Sequence, residues 1–405
     1  MGFVIVFPAG YCKTSAENRN RNMEKKMEKI RMGVVGLGHR GRNMFKLAAE
    51  AFPDQVIPAA ACDLIAANWT DTKFQQTRPM CDILPETKFY TDFQTMLKEA
   101  ALDAILIETG ADVHAYFCAE ALKADIHVLS DIPVVATIEE ADMLWKVHKE
   151  SKAIFSTGSN PNYARYTVMM QELYKKGYLG KPYYMEAEYI HCSIYSEASK
   201  ELTVHSPWRK TLTPIRYCTH SLGPLLRIIE EDLRYAICLG TGNHFEDDSN
   251  KHNMMAALFQ TESGVTIRLL RNGKCRAAIG HHSYRVFGTK GYYERLDSRG
   301  EKYPAVTRFR SDELYGAHDL TVLPAGMMAK EYMYNPKAAG HGGADYALLD
   351  HMFKSYLNQD AEYPISLRDG LRMTLPGIYA EESARRNGEK IRMTYPWDPD
   401  WTAEF

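Results

Sequence analysis

Apolar positions in the first 160 residues fall into short continuous runs, separated by stretches with helical spacing. The runs Arg31 to Leu37, Val56 to Cys62, Asp103 to Glu108, His127 to Asp131 and Ala153 to Gly158 are short and apolar on both faces. That pattern predicts strands buried on both sides of a parallel sheet. Between them, Arg42 to Glu50, Val113 to Lys123 and Ala136 to Ser151 have helical character. Strands alternating with helices at this spacing imply a doubly wound parallel sheet. Ligands of such sheets bind beyond the carboxyl ends of the strands, here at Thr109 to His114, Asp131 to Pro133 and Ser159 to Tyr163.

The pattern changes after Ser159. Tyr166 to Tyr178 reads as an amphipathic helix ending at Gly180, and Pro182 to His191 alternates like a strand with one buried face. Further strand-like runs are Tyr235 to Gly240, Met254 to Gln260, Val265 to Arg271 and His282 to Gly288, and Leu371 to Arg386 reads as a long helix. Runs of strands flanked by helices predict an α+β domain with a largely antiparallel sheet. The expected organisation is a disordered tail at 1–29, an α/β domain at 30–158, and a substrate and oligomerisation domain at 159–405. The last long helix is expected to pack back on the first domain.

Length and charge narrow the classes. At 405 residues the chain has room for two domains with their own cores. A formal net charge of −2 offers no polyanion-binding surface, so nucleic acid is not an expected partner. Gly2 to Pro8 is apolar but falls far short of the about 20 residues that span a bilayer. It also lacks the basic start of a secretory signal, so neither membrane nor export is expected. None of the eight cysteines forms a C-x-x-C pair, which suits buried thiols in a reducing, cytoplasmic setting. His281, His282 and His341 have no carboxylate or thiolate at ligand spacing nearby, so no metal is expected. Glu246 to Asp248 reads as a solvated loop.

Chemistry enters with Gly36-Leu37-Gly38-His39-Arg40-Gly41. G-x-G-x-x-G gains meaning between a strand and a helix, as here. Gly36 permits the tight turn, Gly38 lets the backbone approach a pyrophosphate, and Gly41 lets helix and strand pack closely. The helix start at His39 and Arg40 offers free N–H groups to phosphate. Asp63 ends the second strand about 20 residues beyond the glycines, where a carboxylate binds ribose hydroxyls. A carboxylate there repels a 2′-phosphate, so NAD is expected rather than NADP. Arg40 leaves a second possibility open, because its side chain could reach such a phosphate. Thr109, His114, Asp131 and Asn160 fall around the expected nicotinamide position. For His114, a cofactor contact and a structural helix-start histidine are equally open.

The order G-x-G-x-R-G, the strand D-A-I-L-I-E-T, the strand end V-L-S-D-I-P and the closing L-R-M-T-L-P-G-I-Y-A-E-E-S-A-R resemble the Gfo/Idh/MocA oxidoreductases. The likeness covers Arg31 to Trp397. It implies a Rossmann domain followed by an open-faced sheet, a dimer or tetramer built through that sheet, and sugar, inositol or polyol substrates. Several stretches are similar to the NAD-dependent α-N-acetylgalactosaminidase branch. These are Asn160-Pro161-Asn162-Tyr163-Ala164-Arg165, Glu188-Tyr189-Ile190-His191, and Tyr217-Cys218-Thr219-His220-Ser221-Leu222-Gly223-Pro224. Trp208-Arg209 and Gly340-His341-Gly342-Gly343 match that branch as well. Two positions depart from the patterns. The E-K-P lysine of most family dehydrogenases is Ile132, and the branch's Glu before N-x-x-Y-x-R is Ser159.

The resemblance implies a set of roles. His220 is the base for a sugar hydroxyl, or the partner that orients it, since a histidine can accept and return a proton near neutrality. Oxidising a ring hydroxyl acidifies the hydrogen on the next carbon. Tyr189 would remove that hydrogen, with Arg209 as the cation that favours its ionised form. Tyr217 would donate a hydrogen bond to the sugar or the departing oxygen. Elimination, addition of water and return of the hydride then cleave a glycosidic bond without net redox. This route differs from the usual two-carboxylate one. Two other readings remain: a net NAD-dependent sugar or polyol oxidoreductase, and a non-catalytic NAD-binding sensor.

Overall fold

The structure is a computed structural model that describes residues 29–73, 76–190, 208, 212–245, 252–276, 282–296, 306–323, 335, 337–357 and 365–405. The N-terminal tail, Arg209, His191, His281 and Glu246 to Asp248 lie outside the described residues.

Five strands of the first sheet fall on the predicted apolar runs, and a sixth, the three-residue edge strand Lys88–Tyr90, has no such run to mark it. The sheet comprises β1 (Ile30–Val35), β2 (Val56–Cys62), β3 (Lys88–Tyr90), β4 (Ala104–Ile107), β5 (His127–Ser130) and β6 (Phe155–Thr157), in the order β3-β2-β1-β4-β5-β6. Every neighbouring pair is parallel. Helices α1 (His39–Ala51), α2 (Phe93–Glu99), α3 (His114–Lys123) and α4 (Ile138–Glu150) make the crossovers. Thr137 starts α4 with a capping box: its hydroxyl accepts from the Glu140 N–H, and Glu140 reaches back to the Thr137 N–H.

A turn of 3₁₀ helix at Asn160–Tyr163 and α5 (Arg165–Lys175) lead into the second half. The amphipathic helix there stops short of Gly180, and the chain turns at Gly177 with φ +78°. Its sheet runs β14-β13-β12-β11-β7-β10-β9-β8-β15. The strands are β7 (Pro182–Tyr189), β8 (Leu233–Gly240), β9 (Met254–Thr261), β10 (Thr266–Asn272), β11 (His282–Gly288), β12 (Gly291–Leu296), β13 (Val306–Ser311), β14 (Thr321–Leu323) and β15 (Ile391–Arg392). All pairs are antiparallel except β7 with β10. The short helix α6 (Thr219–Leu226) precedes β8, and α7 (Ala344–Tyr356) and α8 (Leu367–Arg385) follow β14.

Two apolar cores result. One joins α2, α3 and α4 to the inner face of the second sheet through α8. Gly370 of α8 fits directly on the Thr157 hydroxyl at the end of β6, and the Thr157 N–H donates to the Ile365 carbonyl at 2.6 Å. Helix α8 starts at Leu367 behind a Ser366–Asp369 capping box. The second core packs α1 against α7, whose Leu348, Leu349, Met352 and Phe353 are buried on the first sheet. No helix among the described residues is long and apolar enough to cross a membrane.

Candidate active site

The glycine-rich turn has the geometry its spacing demands. Gly36 takes φ +90°, and a Cβ there would lie 2.6 Å from the Glu108 carbonyl oxygen. At Gly41 a Cβ would overlap the Gly36 carbonyl oxygen, so only glycine lets α1 start this close to β1. Gly38 faces open space instead, with nothing within 4 Å of an added Cβ. Helix α1 begins there with no side-chain cap and no acidic residue in its first turn. Its N–H groups and positive dipole end are left for an anion. Asp63 fixes the neighbouring loop: one oxygen accepts from the Leu37 N–H at 2.6 Å, the other from the Ile65 N–H at 2.8 Å. This open cradle beside a carboxylate fits a dinucleotide. His39 lies at the helix start beside Asn43, 3.2 Å away.

Arg40 has carboxylate partners within the chain. Its Nη1 lies 2.8 Å from Asp345 Oδ2 and its Nε 3.8 Å from Asp131 Oδ1. Burial would lower the guanidinium, but Asp345, Asp131 and Glu108 together hold it above its ordinary value. Arg40 is thus drawn into a carboxylate cluster. Asp345 also accepts from Asn160 Nδ2 at 2.8 Å and pairs with His341 Nδ1 at 2.8 Å. Burial pushes Asp345 up, yet Arg40 and His341 outweigh it and keep the group below the usual carboxylate range. Asn160 is accordingly committed to α7.

Glu108 stands in the same cluster. Its Oε2 is sealed from solvent without a hydrogen-bond partner. Burial, then the neighbouring Asp131 charge, raises its carboxyl well above the ordinary range despite Arg40. Thr109 follows, half-buried, at the same sheet edge. His114 is 1% exposed and its Nδ1 lies 2.9 Å from the Pro133 carbonyl oxygen. That contact ties α3 to the loop after β5, and burial lowers the imidazole's pKa. Of the two readings of His114, the structural one has a partner in this structure. Ile132 is buried at 3% exposure, so no proton-transfer group stands at the E-K-P position. At Ser159 the hydroxyl accepts from Asn162 Nδ2 at 2.9 Å, and the residue is fully buried.

Tyr189, Tyr217 and His220 do come together. Tyr189 ends β7, while Tyr217 and His220 flank the start of α6. The Tyr217 hydroxyl lies 3.4 Å from His220 Nε2. Ring centroids of Tyr189 stand 6.4 Å from Tyr217 and 6.0 Å from His220. Burial, then the neighbouring His341, Arg271 and Arg40, lowers the pKa of His220 well below the ordinary histidine value. The imidazole is therefore neutral at pH 7 and able to accept a proton. Tyr284 fixes the helix start by donating to the His220 carbonyl oxygen at 2.7 Å. Trp208 reaches the edge of the first sheet, where a Cβ on Gly110 would lie 2.7 Å from its indole.

Arg271 and His282 are further members of this group. Arg271 lies 4.2 Å over the Tyr189 ring, and His282 stacks on that ring at 4.2 Å. Nothing in the sequence joins residues 189, 271 and 282; only strand register does. The available signal was modest: both new residues fall at ends of predicted strands.

Residues 30–159 match the family model described as an oxidoreductase family with an NAD-binding Rossmann fold. A glycosyl hydrolase family 109 protein of Shewanella pealeana is 22% identical, the match covering 93% of this chain and 86% of that protein. An α-N-acetylgalactosaminidase of Shewanella oneidensis is 21% identical, again over 93% and 86% of the two chains. The scyllo-inositol dehydrogenase of Lactobacillus casei, solved with NAD(H) and scyllo-inositol, shares the fold with a TM-score of 0.67. It is 18% identical and the match covers 90% of this chain and 99% of that one.

Proposed function

Since residues 30–159 carry the NAD-binding domain of the Gfo/Idh/MocA oxidoreductase family, we propose that this chain is an NAD-dependent enzyme cleaving glycosidic bonds through transient oxidation of a sugar ring carbinol. The observation that carries the proposal is the cluster of Tyr189, Tyr217 and His220 at the junction of β7 and α6. A sensor needs no such set of proton-transfer groups. The similarity to a glycosyl hydrolase family 109 protein and to an α-N-acetylgalactosaminidase supports the same reading.

NAD, when bound, supplies a hydride acceptor for the ring carbinol and later a hydride donor. Gly36, Gly38, Gly41 and the first turn of α1 would hold its pyrophosphate, and Asp63 the adenosine ribose hydroxyls. Thr109, Asp131 and Asn160 would border its nicotinamide end. His220 takes the proton of the substrate hydroxyl; its neutral state at pH 7 suits that task. Tyr189 takes the hydrogen on the carbon beside the new ketone. The electron pair of that C–H bond becomes a C=C bond, and the glycosidic C–O pair leaves with the oxygen. Tyr217 donates a hydrogen bond to that oxygen. Water would then add across the double bond, its oxygen bonding to the former glycosidic carbon and a proton to the neighbouring carbon.

The fold shared with a scyllo-inositol dehydrogenase favours a second reading, a net sugar or polyol dehydrogenase. The buried Ile132 counts against its lysine-assisted form. The proposal also includes a cytoplasmic location, which buried free thiols such as Cys118 and Cys218 suit. It includes a homodimer or homotetramer built on the outer face of the second sheet, where Leu258 and Val322 are exposed. The deciding experiment mixes the protein with p-nitrophenyl glycosides, with and without added NAD. Nitrophenol release without NADH accumulation is expected. NADH accumulation without nitrophenol overturns the glycosidase and leaves the dehydrogenase.

A further inference from the structure

Tyr189 belongs to a row that three strands build jointly. Arg271 on β10 and His282 on β11 are its direct register partners, one on each side. The Arg271 guanidinium stands 4.2 Å from the Tyr189 ring centroid, and its Nη1 donates to the Tyr189 carbonyl oxygen at 2.9 Å. The His282 imidazole stacks on the ring with centroids 4.2 Å apart and planes at 29°. Tyr217 is farther from the same guanidinium, at 5.3 Å, and its hydroxyl faces His220. Among the described residues, the charged or titratable groups facing Tyr189 include Arg271, His282, Tyr217 and His220, with Tyr284 behind His282. None of these is a carboxylate. Arg271 is 7% exposed, so water screens its field on the ring only weakly.

We propose that Arg271 is the positioning residue that stabilises the phenolate of Tyr189 and thereby makes it a base. The inference deepens the glycosidase reading and takes the role of Tyr189 from it. An ordinary tyrosine, with a pKa of about 10, is only about 0.1% ionised at pH 7. An opposite charge within about 4–6 Å favours the ionised form by roughly 10- to 1000-fold. That factor decides whether the competent species is a trace or a sizeable fraction. In the step itself the phenolate oxygen gains the carbon-bound proton and becomes a phenol. The freed C–H pair forms the C=C bond, and the glycosidic oxygen departs with its bonding pair. His282 stacks on the ring from the neighbouring strand on the other side of β7.

The test follows near-ultraviolet tyrosinate absorbance against pH in the full chain, with the Tyr189→Phe variant subtracted to isolate one phenol. The difference signal is expected to ionise at least about one pH unit below the ordinary tyrosine value. Arg271→Gln is expected to lower the ionisation constant by tenfold or more, whereas Arg271→Lys, which keeps the charge without the planar stack, loses less. A difference signal at the ordinary value overturns the proposal, and so does one that Arg271→Gln leaves in place. Should Arg271→Gln not fold, the wild-type difference signal and Arg271→Lys still decide. This readout needs no substrate, so it is separate from the glycosidase question. Loss of nitrophenol release with the ionisation intact would remove the reaction and keep the pair. In turnover, Arg271→Gln should lose about 100-fold at pH 7 and recover as pH rises. A loss uniform across pH would mark Arg271 as merely structural.

Discussion

Glu108 sits where a second negative charge is least tolerated, against Asp131 and away from solvent. Its raised pKa means that the folded chain keeps a proton which the unfolded chain gives up above about pH 4.5. Its contribution is therefore present at low pH and lost as pH rises toward the folded value. Glu108→Gln, which mimics the protonated form, should leave stability unchanged near pH 4 and raise it at pH 8, by about 1 kcal/mol or more. Thermal melts at the two pH values check this. His220 has the opposite shift, so its acid limb in kcat/KM should fall below the ordinary histidine value of about 6.5. His220→Ala should cost about 10²- to 10⁴-fold in kcat, read in the nitrophenol assay. At this scale the sequence exposed the residues that sit inside motifs, such as Gly38, Asp63 and His220. It left Arg40 open because its partner Asp345 lies 305 positions away, an ion pair no local pattern encodes.

Single elements divide the glycine-rich turn into fold and ligand parts. Gly41→Ala forces α1 away from β1, since its Cβ overlaps the Gly36 carbonyl oxygen. Overpacking of this kind costs roughly 1–3 kcal/mol. Gly38→Ala meets nothing within 4 Å, so stability should change by about 1 kcal/mol or less. NAD affinity should nevertheless fall, because the new methyl group points where the pyrophosphate approaches. Melting and NAD titration of both variants separate the two roles; equal losses of stability would contradict the assignment. Five strands of the first sheet and the helices α1, α3 and α4 were legible because each is buried on a predictable side; the short β3 and the seven-residue α2 offer too few positions to show a period. Helix α7 was not, because Ala344 to Tyr356 is buried almost all round and shows no polar face to mark its period.

Across the whole molecule, the core that runs from α3 and α4 through α8 to the second sheet makes independent melting of the halves unfavourable. Calorimetry should show one cooperative transition. Gly370→Val, which crowds Thr157 and Val134 at the joint, should shift that transition as a unit; two resolved transitions would contradict the shared core. Burial also lowers the pKa values of His114, His127, His148 and His220. Their contribution to stability is complete above about pH 6.5 and drains as pH falls, because the unfolded chain takes up protons first. The melting temperature should therefore drop on acidification through that window.

The row formed by Arg271, Tyr189 and His282 also bears on how such a protein changes over time. Each of the three is held by backbone pairing at or next to a strand end, where the sequence runs on into connecting segments. Lengthening or rewriting those segments can recast what the enzyme accepts without disturbing the groups that move protons. Divergence of substrate range with retention of chemistry is the course this arrangement leaves open. A one-residue slip of β10 or β11 would instead turn its side chain to the opposite face and abolish the row at a stroke.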